Sequence, residues 1–138
     1  MDTQSVRDQN GETVRVLVVD DYEDNRAMYA EYLRYCGFEV EEADSGLTAL
    51  DAAFAQTPSV IVMDLSMAGM DGWEATRRLK ADERTRHVPV IALTGHALRH
   101  TDDEARASGC DAFLAKPCLP EDLEAKVRSV LQLPAVKN

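Results

Sequence analysis

The chain has 138 residues, a length typical of one domain, and its 45% hydrophobic and 29% charged residues match a soluble globular protein. Its 15 basic and 25 acidic residues give a net charge of −10, which disfavours direct binding to nucleic acid or to an anionic membrane. The three cysteines, Cys36, Cys110 and Cys118, lack CxxC spacing, so neither a disulfide framework nor a zinc site is predicted. Reduced thiols, with no signal-peptide core and no apolar run near the ~18 residues of a membrane span, predict a cytoplasmic protein.

The first half of the chain begins with a polar stretch and then alternates between apolar runs and amphipathic segments. Residues 1–13 are rich in Asp, Gln, Ser, Asn and Gly, which predicts a flexible leader. Residues 14–19 form a β-branched apolar run typical of a buried strand. Apolar side chains then recur at helical spacing over 25–36, and Gly37 ends that helix. The next predicted elements are a strand at 38–43, a helix at 46–56 and a strand at 60–63.

The second half continues the same alternation. Its predicted elements are a helix at 73–81, a strand at 88–93, a helix at 97–108, a strand at 111–115 and a helix at 120–131. The helix at 97–108 offers few apolar side chains to a core, so we expect it to be weakly anchored. We therefore expect one domain over 14–133, followed by a short tail at 134–138.

Strands that alternate with helices predict a parallel sheet with helices on both faces. Right-handed crossovers leave few possible topologies for five such units. We predict an α/β, flavodoxin-like, doubly wound sheet of five parallel strands in the order 2-1-3-4-5, with five helices.

Polar side chains follow four of the five predicted strands. Asp20 and Asp21 come directly after the first strand, and Asp64 follows the third. Thr94 follows the fourth strand and Lys116 follows the fifth. Because ligands of open α/β sheets bind beyond the carboxyl ends of the strands, we expect these side chains to form one site.

Three carboxylates in one site require a compensating positive charge. Two carboxylates ~5 Å apart repel by about 3 kcal/mol at an effective dielectric of about 20, and Lys116 offsets only one charge. Mg²⁺ suits the remainder, because it binds one or two carboxylates and also accepts phosphate oxygens. A carboxylate, Mg²⁺, a lysine and a hydroxyl can together receive a phosphoryl group, with the carboxylate as the nucleophile.

The order of these residues resembles the response-regulator receiver domain of two-component signalling, in its stand-alone, single-domain form. The resemblance covers about residues 14–131. It is carried by five short motifs, which are Val18-Val19-Asp20-Asp21, Val62-Met63-Asp64, Met70-Asp71-Gly72, Ala92-Leu93-Thr94-Gly95 and Ala115-Lys116-Pro117.

The resemblance implies a role for each carboxylate. Asp64 would be the phosphoacceptor, attacking a phosphohistidine on a sensor histidine kinase or a histidine phosphotransfer protein. Asp21 and Asp64 would bind Mg²⁺ directly, and Asp20 would bind it directly or through water. The backbone carbonyl of Ser66 would complete the protein ligands, and Mn²⁺ is an expected substitute for Mg²⁺.

The resemblance also assigns the remaining site residues. Lys116 would pair with the phosphoryl oxygens, and Thr94 would donate its hydroxyl to the phosphoryl group. Thr94 and Phe113 would form the switch, and the Lys116–Pro117 peptide bond would be cis. The chain would be a phosphorylation-dependent switch rather than an enzyme, catalysing only its own phosphorylation and dephosphorylation. It would signal to an unidentified downstream protein through the surface of the predicted helix 97–108, the fifth strand and the last helix.

Two other functions use similar parts. A small Mg²⁺-dependent phosphohydrolase also has an aspartyl nucleophile after a strand. Such enzymes carry an Asp-x-Asp motif whose second aspartate is the general acid, and this chain has Ser66 at that position. A flavodoxin-like FMN carrier needs a phosphate-binding loop after the first strand, where acidic residues at 20–24 would repel a phosphate.

Single residues also have plainer interpretations. Asp20 and Asp21 alone could cap a helix, and Phe113 alone could be a core residue. The loop before Gly72 departs from the family, because Ala68 stands where the family often has proline, so a more flexible loop is expected.

Overall fold

Strands and helices alternate along the chain in a computed structural model that describes residues 5–65, 67, 72–95 and 109–134. The strands are β1 (Arg15–Val19), β2 (Glu39–Ala43), β3 (Val60–Asp64), β4 (Val90–Thr94) and β5 (Ala112–Ala115). The helices in this part of the chain are α1 (Glu23–Tyr35), α2 (Gly46–Ala55), α3 (Gly72–Ala81) and a C-terminal helix (Pro120–Val130).

All five strands are parallel and lie in the order β2-β1-β3-β4-β5, which confirms the predicted flavodoxin-like doubly wound sheet. β1 lies beside β3, with Val19 opposite Met63, although β2 separates them in sequence. The carboxyl ends of β1 and β3 are therefore neighbours in the sheet. The fourth predicted helix, at 97–108, lies outside the described residues.

The sheet separates two layers of core side chains. In β1, Leu17 and Val19 pack in the layer that contains α2 and α3, whereas Val16 and Val18 pack in the layer with α1 and the C-terminal helix. Every residue of β3 and β4 is buried, as is typical of parallel strands covered on both faces. Full burial of one such aliphatic side chain stabilises the fold by roughly 1.5–3 kcal/mol. These two layers hold the strand ends, and hence the site, in place.

The helix ends follow local chemistry. Gly37 follows α1 with a φ of 101°, a left-handed conformation that glycine adopts without strain, as predicted. The Ser45 side chain accepts a hydrogen bond from the Thr48 N–H at the start of α2, and Pro120 is the first residue of the C-terminal helix. None of the helices among the described residues combines the length and apolarity needed to cross a bilayer.

The described part of the N-terminal segment, residues 5–13, is bonded to the domain. The Val6 N–H donates to the Gly37 carbonyl at 2.8 Å, and the Val14 N–H donates to the Val6 carbonyl at 2.8 Å. Arg7 and Thr13 form an antiparallel bridge, and the Val6 side chain packs against the core. The composition of 1–13 predicts a flexible leader, but composition does not reveal these backbone bonds to a glycine carbonyl 31 positions further along the chain. The domain bounds at 14 and 133 stay predictions.

Candidate functional site

Asp20, Asp21 and Asp64 form a carboxylate cluster at the carboxyl end of the sheet. One carboxylate oxygen from each lies within 4.8 Å of the other two. The register explains the geometry: Val19 lies opposite Met63, and Asp20 and Asp64 are the next residues on the two neighbouring strands. Asp20 and Asp64 are 1% and 2% exposed, while Asp21 is exposed. The three predicted carboxylates therefore meet, two from inside the fold and one from its surface.

The two oxygens of the Asp20 carboxylate have different surroundings. Its Oδ1 atom accepts a hydrogen bond from the Tyr22 N–H at 2.9 Å. Its Oδ2 atom is buried and has no hydrogen-bond partner among the described residues. Burial raises the pKa of Asp20 to about 6. The hydrogen bond from Tyr22 and the charge of Lys116 oppose this increase in pKa, whereas the nearby charge of Asp64 adds to it. A buried oxygen with an unused lone pair, beside two more carboxylates, fits a hard divalent cation such as Mg²⁺.

Lys116 reaches the cluster from β5. Its Nζ atom donates to Asp64 Oδ2 at 3.1 Å, and its side chain is 21% exposed. Its backbone N–H donates to the Thr94 carbonyl at 2.7 Å, so the residue is held at both its main chain and its side chain. The Lys116–Pro117 peptide bond is cis. The ammonium is thus positioned beside the Asp64 carboxylate.

Thr94 and Phe113 lie on the two strands beyond β3. Thr94 is the last residue of β4 and is buried. The residue before it, Leu93, lies opposite Asp64 in the register. Phe113 is half-buried, lies opposite Ala92 in the register, and packs against the core layer of α2 and α3. Both residues therefore stand on neighbouring strands near the site, and their switching roles stay predictions.

The start of α3 packs directly on the backbone of the central aspartate. A Cβ atom added to Gly72 would lie 2.6 Å from the carbonyl oxygen of Asp64 and 3.0 Å from Cα of Leu65. Only glycine permits this approach without a shift of the backbone. Ser66, whose carbonyl was predicted as a metal ligand, lies outside the described residues.

Two residues of α1 that sequence reasoning missed hold the loops of the site. Arg26 Nη1 donates to the Asp20 carbonyl at 3.0 Å, and the Tyr29 hydroxyl donates to the Cys118 carbonyl at 3.1 Å. Their spacing of three placed both on one helix face. In the sequence, a charged and a phenolic side chain stand out on an otherwise apolar helix face. The sequence does not indicate which groups these two side chains contact.

Comparison with known proteins identifies the family. The family model described as the response regulator receiver domain matches residues 16–128. The polar-differentiation response regulator DivK of Brucella ovis is 38% identical over 105 residues, covering 76% of this chain and 85% of the relative. DivK of Brucella anthropi is 36% identical over 102 residues, covering 74% and 83%. The chain belongs to the response regulator receiver family.

Solved structures are similar in the same way. The chemotaxis protein CheY4 of Vibrio cholerae superimposes with a TM-score of 0.82 at 32% identity, covering 85% of this chain and 98% of that one. The receiver domain of a sensor histidine kinase from Pseudomonas aeruginosa has a TM-score of 0.80 at 31% identity, covering 86% and 98%. That structure has a magnesium ion coordinated in its active site cleft. Receiver domains bind Mg²⁺ at an aspartate cluster, and the cluster of Asp20, Asp21 and Asp64 has this character.

Membership of the family fixes the broad class of function. Receiver domains act in two-component signalling, accept phosphoryl groups from histidine kinases, and are signalling proteins rather than enzymes. This favours the signalling hypothesis over the phosphohydrolase and the FMN carrier.

Proposed function

We propose that this chain is a phosphorylation-dependent switch that accepts a phosphoryl group on Asp64 from a histidine kinase or a histidine phosphotransfer protein. The observation that supports this most directly is the setting of Asp64. Asp64 is 2% exposed, and its carboxylate lies close to two further carboxylates and accepts a hydrogen bond from Lys116 at 3.1 Å. With a cation held by the cluster, Asp64 would lie near two positive charges, the cation and the Lys116 ammonium.

The carboxylates of Asp20, Asp21 and Asp64, with the carbonyl of Ser66, would hold Mg²⁺, and Mn²⁺ would substitute for it. When bound, the ion offsets the charge of the cluster and of the incoming phosphoryl oxygens. Tyr22 holds one oxygen of Asp20 through its backbone N–H, so the free oxygen of that carboxylate is directed at one place. The backbone of Tyr22 thus holds the Asp20 carboxylate in one orientation.

Asp64 acts as the nucleophile in this proposal. A carboxylate oxygen forms a bond to phosphorus, the bond from phosphorus to the histidine nitrogen breaks, and the imidazole leaves with the electron pair. Lys116 interacts with the phosphoryl oxygens, and the Thr94 hydroxyl donates a hydrogen bond to one of them. Beyond this self-phosphorylation and its reversal by water, we propose no catalysis.

The output of the switch would be a protein contact made in the cytoplasm. We place it on the surface of the predicted helix 97–108, β5 and the C-terminal helix. A surface cavity of about 450 Å³ lies between β5 and the C-terminal helix, lined by residues that include Leu114, Pro117 and Lys126. The cavity adjoins the loop that carries Lys116, so a change at Asp64 has a short route to it.

Intact mass measurement tests the phosphoacceptor. The protein is incubated with Mg²⁺ and a small phosphodonor, and we expect a gain of one phosphoryl group that Asp64→Asn and EDTA both abolish. Asp51→Asn, which changes an exposed aspartate of α2, is the matched control and should be phosphorylated normally. No gain with any donor, or an equal gain in Asp64→Asn, would overturn the proposal.

A second assay tests the donor. Purified histidine kinases and phosphotransfer proteins from the host are labelled on histidine and mixed with the chain, and transfer of label is followed over time. We expect rapid transfer from at least one of them, with none to Asp64→Asn. Failure of every donor, while the small phosphodonor still works, would contradict the kinase step alone.

A further inference from the structure

Helix α1 reaches both sides of the site through two side chains that lie three positions apart. The geometry points to Arg26 and Tyr29 as positioning residues for phosphoryl transfer. Arg26 would position the carboxylates that bind the cation, and Tyr29 would position Lys116. Each donates a hydrogen bond to a main-chain carbonyl in a loop that carries site residues. This inference rests on the proposed function.

Arg26 fixes the loop after β1. Its Nη1 atom donates to the Asp20 carbonyl at 3.0 Å, and its Nε atom pairs with Glu42 of β2 at 3.2 Å. The Arg26 side chain is 16% exposed, so both contacts are partly shielded from water. The carbonyl belongs to the peptide group that joins Asp20 to Asp21, and its orientation decides where Asp21 enters the cluster. The Asp20 N–H is itself held by the Ala43 carbonyl at 3.1 Å, so Arg26 completes the fixation of this residue.

Tyr29 fixes the loop after β5. Its hydroxyl donates to the Cys118 carbonyl at 3.1 Å and also lies 3.4 Å from Cys118 Sγ. Tyr29 is buried, and burial raises its pKa, so the hydroxyl stays protonated and remains a donor. Cys118 follows Lys116 by two residues, and the Lys116 N–H is held by Thr94 at 2.7 Å. The short segment that carries the Lys116 side chain is therefore held at one end by β4 and at the other by Tyr29.

The two contacts affect different parts of the reaction, and this separates positioning from a general loss of stability. Arg26→Met releases the Asp20–Asp21 peptide, so Mg²⁺ affinity measured by calorimetry should fall by roughly tenfold. Its phosphorylation rate at saturating Mg²⁺ should stay within about twofold of the wild type. Tyr29→Phe releases the Lys116 segment, so Mg²⁺ affinity should be retained while the rate at saturating Mg²⁺ falls by roughly tenfold.

Each variant has a matched control on the same helix. Arg34 also pairs with Glu42, at 3.2 Å, but its other contact is the Val40 carbonyl, away from the site. The Tyr32 hydroxyl donates to Glu124 of the C-terminal helix at 3.3 Å and reaches no site loop. Arg34→Met and Tyr32→Phe should therefore leave both Mg²⁺ affinity and phosphorylation rate unchanged. If Arg26→Met does not fold by circular dichroism, Arg26→Lys replaces it, since lysine keeps the charge but its donors all lie on one nitrogen, which cannot bridge Glu42 and the carbonyl as the guanidinium does.

The outcomes separate this inference from the proposed function. If the wild type neither binds Mg²⁺ nor gains a phosphoryl group, the proposed function has failed. If the wild type does both and the α1 variants match their controls, the positioning role is wrong. A parallel loss of affinity and rate in all four variants would also overturn it, because that result would report a general effect of α1 on stability.

Discussion

The two ends of the sheet use charged side chains in opposite ways. At the amino end, Lys80 of α3 donates to the Val88 carbonyl at 2.8 Å and to Asp111 at 2.9 Å, and the same Asp111 oxygen accepts the Val90 N–H at 2.8 Å. At the carboxyl end, three carboxylates meet within 4.8 Å, and Lys116 pairs with Asp64 at 3.1 Å. One end is balanced by the protein itself, while at the other Lys116 faces three carboxylates.

The contrast shows how one residue type takes two roles in one fold. Asp111 precedes β5 and provides an acceptor that holds the start of β4, so it is part of the scaffold. The Oδ2 atom of Asp20 is buried and has no hydrogen-bond partner among the residues described. Burying a polar atom without a partner lowers the stability of the fold. We infer that the amino end stabilises the sheet and the carboxyl end gives up stability for ligand binding.

The largest effect is expected from a glycine at the carboxyl end. In Gly72→Ala the new Cβ would meet backbone atoms, the Asp64 carbonyl at 2.6 Å and Cα of Leu65 at 3.0 Å. We expect the free energy of unfolding, measured with urea, to fall by about 3 kcal/mol, because overpacking against backbone cannot relax by rotation. Phosphorylation should also slow, since the strain displaces Asp64.

Gly109→Ala provides the comparison at the amino end. Its φ is 98°, and a Cβ there would meet Cγ of Lys80 at 2.8 Å, a flexible side chain that can move. The loss should be smaller, about 1–2 kcal/mol, and phosphorylation should be retained. An equal or smaller loss in Gly72→Ala would contradict the close packing of α3 on Asp64.

The next effect tests the scaffold role of the amino end. Lys80→Met keeps the aliphatic stem but removes the ammonium, which is in a side chain only 19% exposed. The variant loses two short hydrogen bonds, so the free energy of unfolding should fall by about 2 kcal/mol. Mg²⁺ affinity and phosphorylation should match the wild type. If the free energy of unfolding falls by less than about 0.5 kcal/mol, the Lys80 contacts contribute no more than an ordinary surface ion pair, and the scaffold role is wrong.

Much of this arrangement could be predicted from the sequence. Apolar runs marked the strands, and parallel topology brings their carboxyl ends to one edge, so the meeting of Asp20 and Asp64 followed from strand order. The supporting contacts did not follow. The Tyr29 hydroxyl and the Cys118 carbonyl are 89 positions apart, and their contact depends on how α1 packs over the loop after β5. Periodicity predicts which face of a helix is buried but not which carbonyl a buried hydroxyl meets.

The next prediction asks whether the carboxyl end does give up stability. Asp20→Asn keeps an acceptor for the Tyr22 N–H but removes one charge from the cluster. Without divalent cations the variant should be more stable than the wild type by about 1 kcal/mol, because like charges a few ångströms apart repel and Lys116 offsets only part. Urea unfolding in EDTA measures this, with Asp51→Asn as the control for removing a surface charge.

Mg²⁺ should reduce this difference in stability between Asp20→Asn and the wild type. At ten times its dissociation constant, Mg²⁺ stabilises a one-site protein by about 1.4 kcal/mol, and the wild type should gain this while Asp20→Asn gains less. A variant that is less stable than the wild type in EDTA would mean that the cluster is already balanced without a cation.

The smallest effect concerns the thiol of Cys36, which follows α1 at the amino end and should be chemically inert. Burial, then the neighbouring Glu124, raises the pKa of Cys36 from an ordinary 9.0 to about 11. The unfolded chain therefore releases this proton at a lower pH than the folded chain does, so its contribution to stability is intact below pH 9 and is lost as pH rises through 11. The rate of iodoacetamide labelling at Cys36 can be measured by peptide mass spectrometry as a function of pH. In the folded protein this rate should still increase with pH at pH 10, whereas in urea it should reach a plateau near pH 9. If both profiles level at the same pH, the thiol is not shielded, and reactive groups are not confined to the carboxyl end.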